Sequence, residues 1–301
     1  MCEKSQDEQE EQGVTGQAQT DRVADDPAQT EQPQTEQIRD VPVVAVVLAA
    51  GFGTRFDPDN PKQLVSVGDR PIVQWSIEAF EHNPQVTDIV VVVNPKVRQA
   101  VETLCEQGRY AKVRMVIDGG KERSDSTQSA LQVLADAGIP GDAKVLIHDA
   151  VRPFVEQSAI RGCVEALNQF DAATVAVPST DTVLLTADLG DRKAIDSVPD
   201  RPNTFRAQTP QAFRFHTIRE AYAKAADDPD FHPTDDTRVV VDYLPDTPVT
   251  IVSGSETNLK ITTLADIPVA ESIAGTLAEA RANDAEYWRN RMHALVGSLR
   301  G

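Results

Sequence analysis

The chain has 301 residues, 40% of them apolar and 25% charged, with a formal net charge of −18. That length accommodates one large α/β domain or two small ones, with a sizeable core. The acidity argues against nucleic acid or an anionic membrane as partner, but leaves room for a local basic pocket that takes phosphate.

Residues 1–40 carry eleven acids and three bases, and no aromatic residue. Such a segment buries too little apolar surface to offset its ordering entropy, so a disordered acidic tail is expected there. It contains no apolar stretch of signal-peptide type, and the chain has no run of about 18 apolar residues to span a membrane. Cys2, Cys105 and Cys163 lie far apart without metal-site spacing. Inert thiols in a reduced, cytoplasmic protein are expected.

The folded part begins at Val41. "VPVVAVVLAA" is a nearly continuous β-branched run, as in a strand buried on both faces. Similar runs recur at 88–95, 113–118, 143–150 and 173–178, separated by helical patterns near 71–81, 97–106, 124–137 and 157–169. Alternation of this kind predicts a parallel sheet with right-handed crossovers. After Pro178 the rhythm changes. Short strand-like pieces around Asp188-Leu189-Gly190-Asp191 read as a hairpin excursion over about 179–205. A helix near 216–226, the loop "DDPDFHPTDD", a strand at 249–254 and the β-type segment "NLKITT" follow. From about 272 to 300 the pattern is helical, with Tyr287, Trp288, Met292 and Leu295 as packing residues.

Gly51-Phe52-Gly53 ends the first strand. Glycines there allow close backbone approach to a ligand and free amides for phosphate oxygens. The dinucleotide fingerprint fails, because its third glycine is replaced by Phe56. The Walker pattern is absent as well. Arg55 and Lys62 are present instead, and two cations around a glycine turn suit a reacting polyphosphate. An NAD(P)-dependent oxidoreductase is disfavoured by the same departures and by the lack of a Tyr-x-x-x-Lys or histidine hydride site. A catalytically dead binding module is disfavoured by retention of Arg55, Lys62, Asp149 and Lys260.

"LAAGFGTRF…PKQ" resembles the nucleotide-binding signature of the sugar-phosphate nucleotidyltransferases. "DGGKERSDS", "LIHDAVRPF", "TPQAF", "TDD" and "NLKITT" follow in the order of one branch. That branch comprises 2-C-methyl-D-erythritol 4-phosphate cytidylyltransferase and the related ribitol-5-phosphate cytidylyltransferase. The resemblance covers about residues 42–275. It implies a Rossmann-like, doubly wound, mostly parallel α/β sheet with an extended β-arm over 179–205. The nucleotidyltransferase domain would span 41–275, with a helical tail over 276–301.

The resemblance also implies the chemistry, which is attack of a five-carbon polyol phosphate on the α-phosphorus of CTP with Mg²⁺. Arg55, Lys62, Lys260 and Arg201 would be catalytic. Ala49, Ala50, Gly51, Gly53, Gly120, Lys121, Ser126 and Ala150 would bind the nucleotide, with Lys121 using its main chain and Arg123 ordering the loop. Asp149 would hold Mg²⁺ or the acceptor. Arg152, Thr209, Thr234 and Asp235 would border the acceptor, and Thr182 with Arg201 would reach it across a homodimer. Alternation in "NLKIT" points Lys260 away from the core. His148 is read as structural, because a phosphate nucleophile needs no base of that kind. Methylerythritol phosphate is the expected acceptor; Leu48 and Val151 depart from the "PAAG" and "HDAARP" commonest in the methylerythritol branch, which keeps ribitol phosphate as the alternative.

Overall fold

Val43–Ala49 forms the first strand, β1, and all seven of its side chains are buried. Val43, Ala45, Val47 and Ala49 face one apolar layer, and Val44, Val46, Leu48 and Ala50 face the other. A strand covered on both sides reads as continuous β-branched sequence rather than as alternation. In the computed structural model the described residues are 41–51, 61–231 and 233–298; side chains are described as far as Arg291, apart from those of 288 and 290. The expected disordered tail over 1–40 lies outside them.

After the short antiparallel pair β2 (Ser66–Val67) and β3 (Arg70–Pro71), α1 spans Ile72–Glu81 and β4 spans Asp88–Val93. Then come α2 (Arg98–Gly108), β5 (Val113–Asp118), α3 (Arg123–Asp136), β6 (Lys144–Asp149), α4 (Gln157–Ala166) and β7 (Ala172–Pro178). The excursion is an exposed antiparallel hairpin, β8 (Leu185–Asp188) with β9 (Lys193–Ser197). The chain returns as β10 (Phe205–Arg214), followed by α5 (Phe215–Ala225), α6 (Asp236–Tyr243), β11 (Val249–Ser253) and α7 (Ile267–Ser298).

The main sheet has seven strands in the order β11-β7-β10-β6-β1-β4-β5. All pairs are parallel except those made by β10, which is antiparallel to both β6 and β7. One helical layer, α1, α2 and α4, packs Val73, Phe80, Val101 and Ile160 against the sheet, and the other, α3, α5 and α6, packs Leu131, Ile218 and Val240. The winding order reverses between the parallel strands β1 and β6, so their carboxyl ends open the crevice where such sheets take ligands. A third cluster, with Trp75, Phe154, Ile261, Ala270 and Ala274, ties the start of α7 to the flank of that crevice.

Four features differ from the sequence reading. The sequence reading places no sheet strand between Pro178 and residue 249, yet β10 lies inside the sheet. Asp236–Tyr243 is a helix that begins where the expected loop ends, in a stretch to which the sequence reading assigns no element. "NLKITT" joins no sheet; it is held by the Ile261 N–H donating to Val151 O at 2.8 Å. Tyr287 is exposed rather than packed. The side chains of Trp288, Met292 and Leu295 lie outside the described residues.

Candidate active site

Beyond the carboxyl ends of β1 and β6 lies a cavity of about 320 Å³. Ala50, Gly51, Lys62, Gly120, Lys121, Ser126, Asp149 and Lys260 line it, together with Gln63, Glu122 and Arg123. The sequence motifs that carry these residues are far apart in the chain, and the sheet brings them to one edge. Gly53 and Arg55 lie outside the described residues. Ala49 and Ala150 are buried behind the lining. The Ala150 N–H donates to Leu48 O, and its carbonyl accepts from Ser76 Oγ at 2.9 Å.

The first wall is pinned by Gln63, a residue the motif contained without a role being assigned. Its amide Nε2 donates to Ala49 O at 2.7 Å and also to Gly51 O. The strand end and the short helical turn carrying Lys62 are thereby locked together. The second wall is the turn before α3. Glu122 caps the helix reciprocally with Asp125, and Asp125 accepts from the N–H groups of Lys121 and Glu122. Ser126 accepts from Gly120 N at 3.2 Å and donates to Glu122 O at 3.1 Å. The two glycines are demanded by the protein itself. A Cβ on Gly119 would lie 2.5 Å from Ala50 Cβ, and one on Gly120 would lie 2.1 Å from Asp125 Cβ. The Lys121 side chain is exposed.

Charge concentrates on the third wall. Asp149 ends β6 and is 7% exposed. Arg123 Nε donates to its Oδ1 at 2.9 Å and Lys260 Nζ donates to its Oδ2 at 2.8 Å. Burial works to raise the Asp149 pKa, but the two cations and their hydrogen bonds outweigh it and hold the carboxyl well below the usual carboxylate range. Arg123 extends its Nη1 to Asp236 Oδ2 at 2.7 Å. Sequence reasoning missed Asp236. The neighbouring Asp235, named in its place, caps α6 by accepting from Arg238 N at 2.8 Å. Thr234, just before it, is exposed.

Behind Asp149 runs a chain of oriented hydrogen bonds. The Asp149 N–H donates to Thr209 Oγ1 at 3.1 Å, and Thr209 Oγ1 lies 2.9 Å from His148 Nδ1. His148 Nε2 lies 3.0 Å from Arg152 O. A carbonyl only accepts, so Nε2 carries the proton and Nδ1 accepts from the threonine hydroxyl. Complete burial pushes the His148 pKa down to about 4, leaving a neutral imidazole. Arg152 donates to Asn258 O at 2.8 Å. Thr209 and Arg152 thus stand directly beside Asp149 without lining the cavity. Thr182 and Arg201 form a separate pair on the exposed arm, Arg201 Nη2 donating to Thr182 Oγ1 at 3.1 Å.

A doubly wound sheet with a cation-rich cavity at its switch point is the arrangement of a nucleotide-handling α/β enzyme, and the solved structures it resembles are nucleotidyltransferases. A 4-diphosphocytidyl-2C-methyl-D-erythritol synthase from Anaerococcus prevotii superposes with a TM-score of 0.67 at 27% identity, covering 78% of this chain and 97% of that one. Residues 43–276 match the family described as 2-C-methyl-D-erythritol 4-phosphate cytidylyltransferase, and this chain belongs to that family. A protein of that name from Bifidobacterium longum subsp. infantis is 68% identical over 94% of this chain and 98% of its own length. The bifunctional ribulose 5-phosphate reductase/CDP-ribitol pyrophosphorylase of Haemophilus influenzae is 34% identical over 76% of this chain and 48% of its own length.

Proposed function

We propose that this chain transfers the cytidylyl group of CTP to 2-C-methyl-D-erythritol 4-phosphate, giving 4-CDP-2-C-methyl-D-erythritol and pyrophosphate in isoprenoid precursor synthesis. The 68% identity to the Bifidobacterium cytidylyltransferase along nearly the whole chain carries this reading. The ribitol alternative rests on a relative of half that identity and is not favoured.

In this reaction an acceptor phosphate oxygen bonds to the α-phosphorus of CTP while the bond to the bridging oxygen breaks and pyrophosphate leaves. A phosphate monoester has a second pKa of about 6, so the nucleophile is already mostly dianionic. Catalysis then lies in positioning and charge stabilisation. Lys62 and Lys260, with Arg55, take the phosphates. The loop at Gly120, Lys121 and Ser126, with Ala49, Ala50, Gly51, Gly53 and Ala150, takes the nucleoside. The neutral His148 holds its one ring proton in a fixed bond to Arg152 O and takes none from substrate.

Mg²⁺ fits this donor set. It is commonly held by one or two carboxylates plus substrate phosphates rather than by an all-protein cage. Asp149 supplies such a carboxylate, and no cluster of three or more candidate ligands occurs among the described residues. When bound, the ion would neutralise charge on the triphosphate. Arg152, Thr209, Thr234 and Asp235 would border the acceptor.

The arm supports a homodimer. Leu184, Leu185, Leu189, Ile195 and Val198 are each about half exposed or more on it, an apolar surface that a second copy would cover. Thr182 and Arg201 would then reach the partner's acceptor phosphate. The decisive assay is pyrophosphate release from CTP and Mg²⁺ with each five-carbon phosphate side by side. Release with methylerythritol phosphate at the higher kcat/KM is expected. Faster turnover of ribitol phosphate would reverse the assignment, and no release with either would end it.

A further inference from the structure

Asp236 is among the most deeply buried acids of the described chain, at 0% exposure, and its surroundings account for every oxygen of its carboxylate. Oδ2 accepts from Arg123 Nη1 at 2.7 Å, and Oδ1 accepts from the Tyr222 hydroxyl at 2.7 Å. Its own N–H donates to Gln211 Oε1 at 2.8 Å. Residues from α5, β10 and α6 therefore fix one carboxylate whose outward contact is the guanidinium beside Asp149.

The consequence lies in how that guanidinium is divided. Arginine prefers to grip one carboxylate with two parallel donors. Here Asp236 anchors Nη1, Asp149 receives only Nε, and Nη2, the donor that would complete a two-pronged grip beside Nε, is buried without a partner. Burial lowers the Arg123 pKa, and the pull of Asp236, followed by that of Asp149, more than restores its charge. We infer that Asp236, steadied by Tyr222, is a positioning residue for the proposed cytidylyl transfer: it limits Arg123 to a single hydrogen bond on Asp149 and so keeps the Asp149 carboxylate open to a divalent cation. Asp149, Asp236, Arg123 and Lys260 make a neutral quartet. Removing the Asp236 charge frees Arg123 to close on Asp149 and leaves a positive surplus beside it. Both changes oppose a cation.

The inference rests on the reading of the pocket as a Mg²⁺·CTP site, and its test separates the two. Asp236→Asn is expected to raise the Mg²⁺ concentration for half-maximal turnover by about tenfold, the scale on which outer-shell partners tune metal sites. Its KM for CTP at saturating Mg²⁺ should change far less. Tyr222→Phe keeps every charge and should shift the Mg²⁺ requirement in the same direction by about two- to threefold. Asp236→Glu should recover part of the loss. Calorimetric titration of CTP across a Mg²⁺ series, without acceptor, should show the same displacement with no turnover involved. Lower thermal midpoints with an unchanged Mg²⁺ requirement in both variants would make the contact merely structural and overturn the inference. If Asp236→Asn does not fold, an unchanged requirement in Tyr222→Phe overturns it alone. Failure of the wild type to release pyrophosphate would count against the proposed function, while the calorimetric displacement would still decide the role of Asp236.

Discussion

His148 shows what a buried titratable group costs when it is kept neutral. The folded protein holds its pKa near 4, against an ordinary value of 6.5, because burial disfavours the imidazolium. The unfolded chain takes up a proton below pH 6.5 and the folded chain does not, so stability falls as pH drops from 6.5 towards 4 and is unaffected above. The shift corresponds to about 3 kcal/mol over that window. Urea denaturation between pH 4.5 and 7.5 should show this slope in the wild type and lose it in His148→Gln. An equal slope in both would place the pH sensitivity elsewhere. Adjacent acids illustrate the limit of sequence at this scale. Nothing in "TDD" distinguishes Asp235 from Asp236, yet the one before the first helical turn caps the backbone and the next points into the core towards Arg123. The choice is made by where α6 begins.

At the scale of elements, the turn into α3 is the most constrained piece of the site. Gly120→Ala would drive a methyl group into Asp125, which closes the reciprocal cap with Glu122. Loss of a cap costs about 1 kcal/mol, and the loop facing the nucleoside would shift with it. We expect a lower thermal midpoint and a KM for CTP raised several-fold; unchanged values in both would show that the turn yields without consequence. The buried strands and the flanking helices were legible because their runs have a definite period. β10 was not, because Pro210 in "AQTPQAF" argues against an interior strand. The structure resolves the conflict locally. Register shifts between Ala207 and Gln211, and Pro210 sits in that irregularity, where its missing N–H breaks no ladder. α6 was hidden by Val239-Val240-Val241, a β-branched run in a helix of eight residues. "NLKITT" alternates like a strand, but its alternation places Ile261 in the third apolar cluster and turns Lys260 to Asp149. Alternation reports facing, and a segment can face a core without joining a ladder.

For the whole molecule, the arm is the feature a lone chain leaves unexplained. Ile195 is 62% exposed on β9, and Leu184 and Leu185 are about half exposed nearby. If the arm closes a homodimer, Ile195→Asp should give a monomer by light scattering and lose turnover together with dimer, while its thermal midpoint as a monomer stays near that of the wild-type fold. A dimer that persists would move the interface elsewhere. The motifs for the pocket were legible because each is a short local signature. The Asp149–Arg123–Asp236 chain was not, since it joins the ends of β6, α3 and α6 only after the sheet has formed. The course of β10 bears on recombining this chain with its relatives. One strand begins at the return of the arm, paired to the end of β7, and goes on to carry Thr209 and Gln211 beside Asp149 and Asp236. The arm is therefore not a cassette. A chimera joined between Phe205 and Arg214 would divide a strand that serves both the arm and the pocket, so productive crossovers should fall before Ala172 or after Arg214, with the arm and the acceptor side inherited as one block.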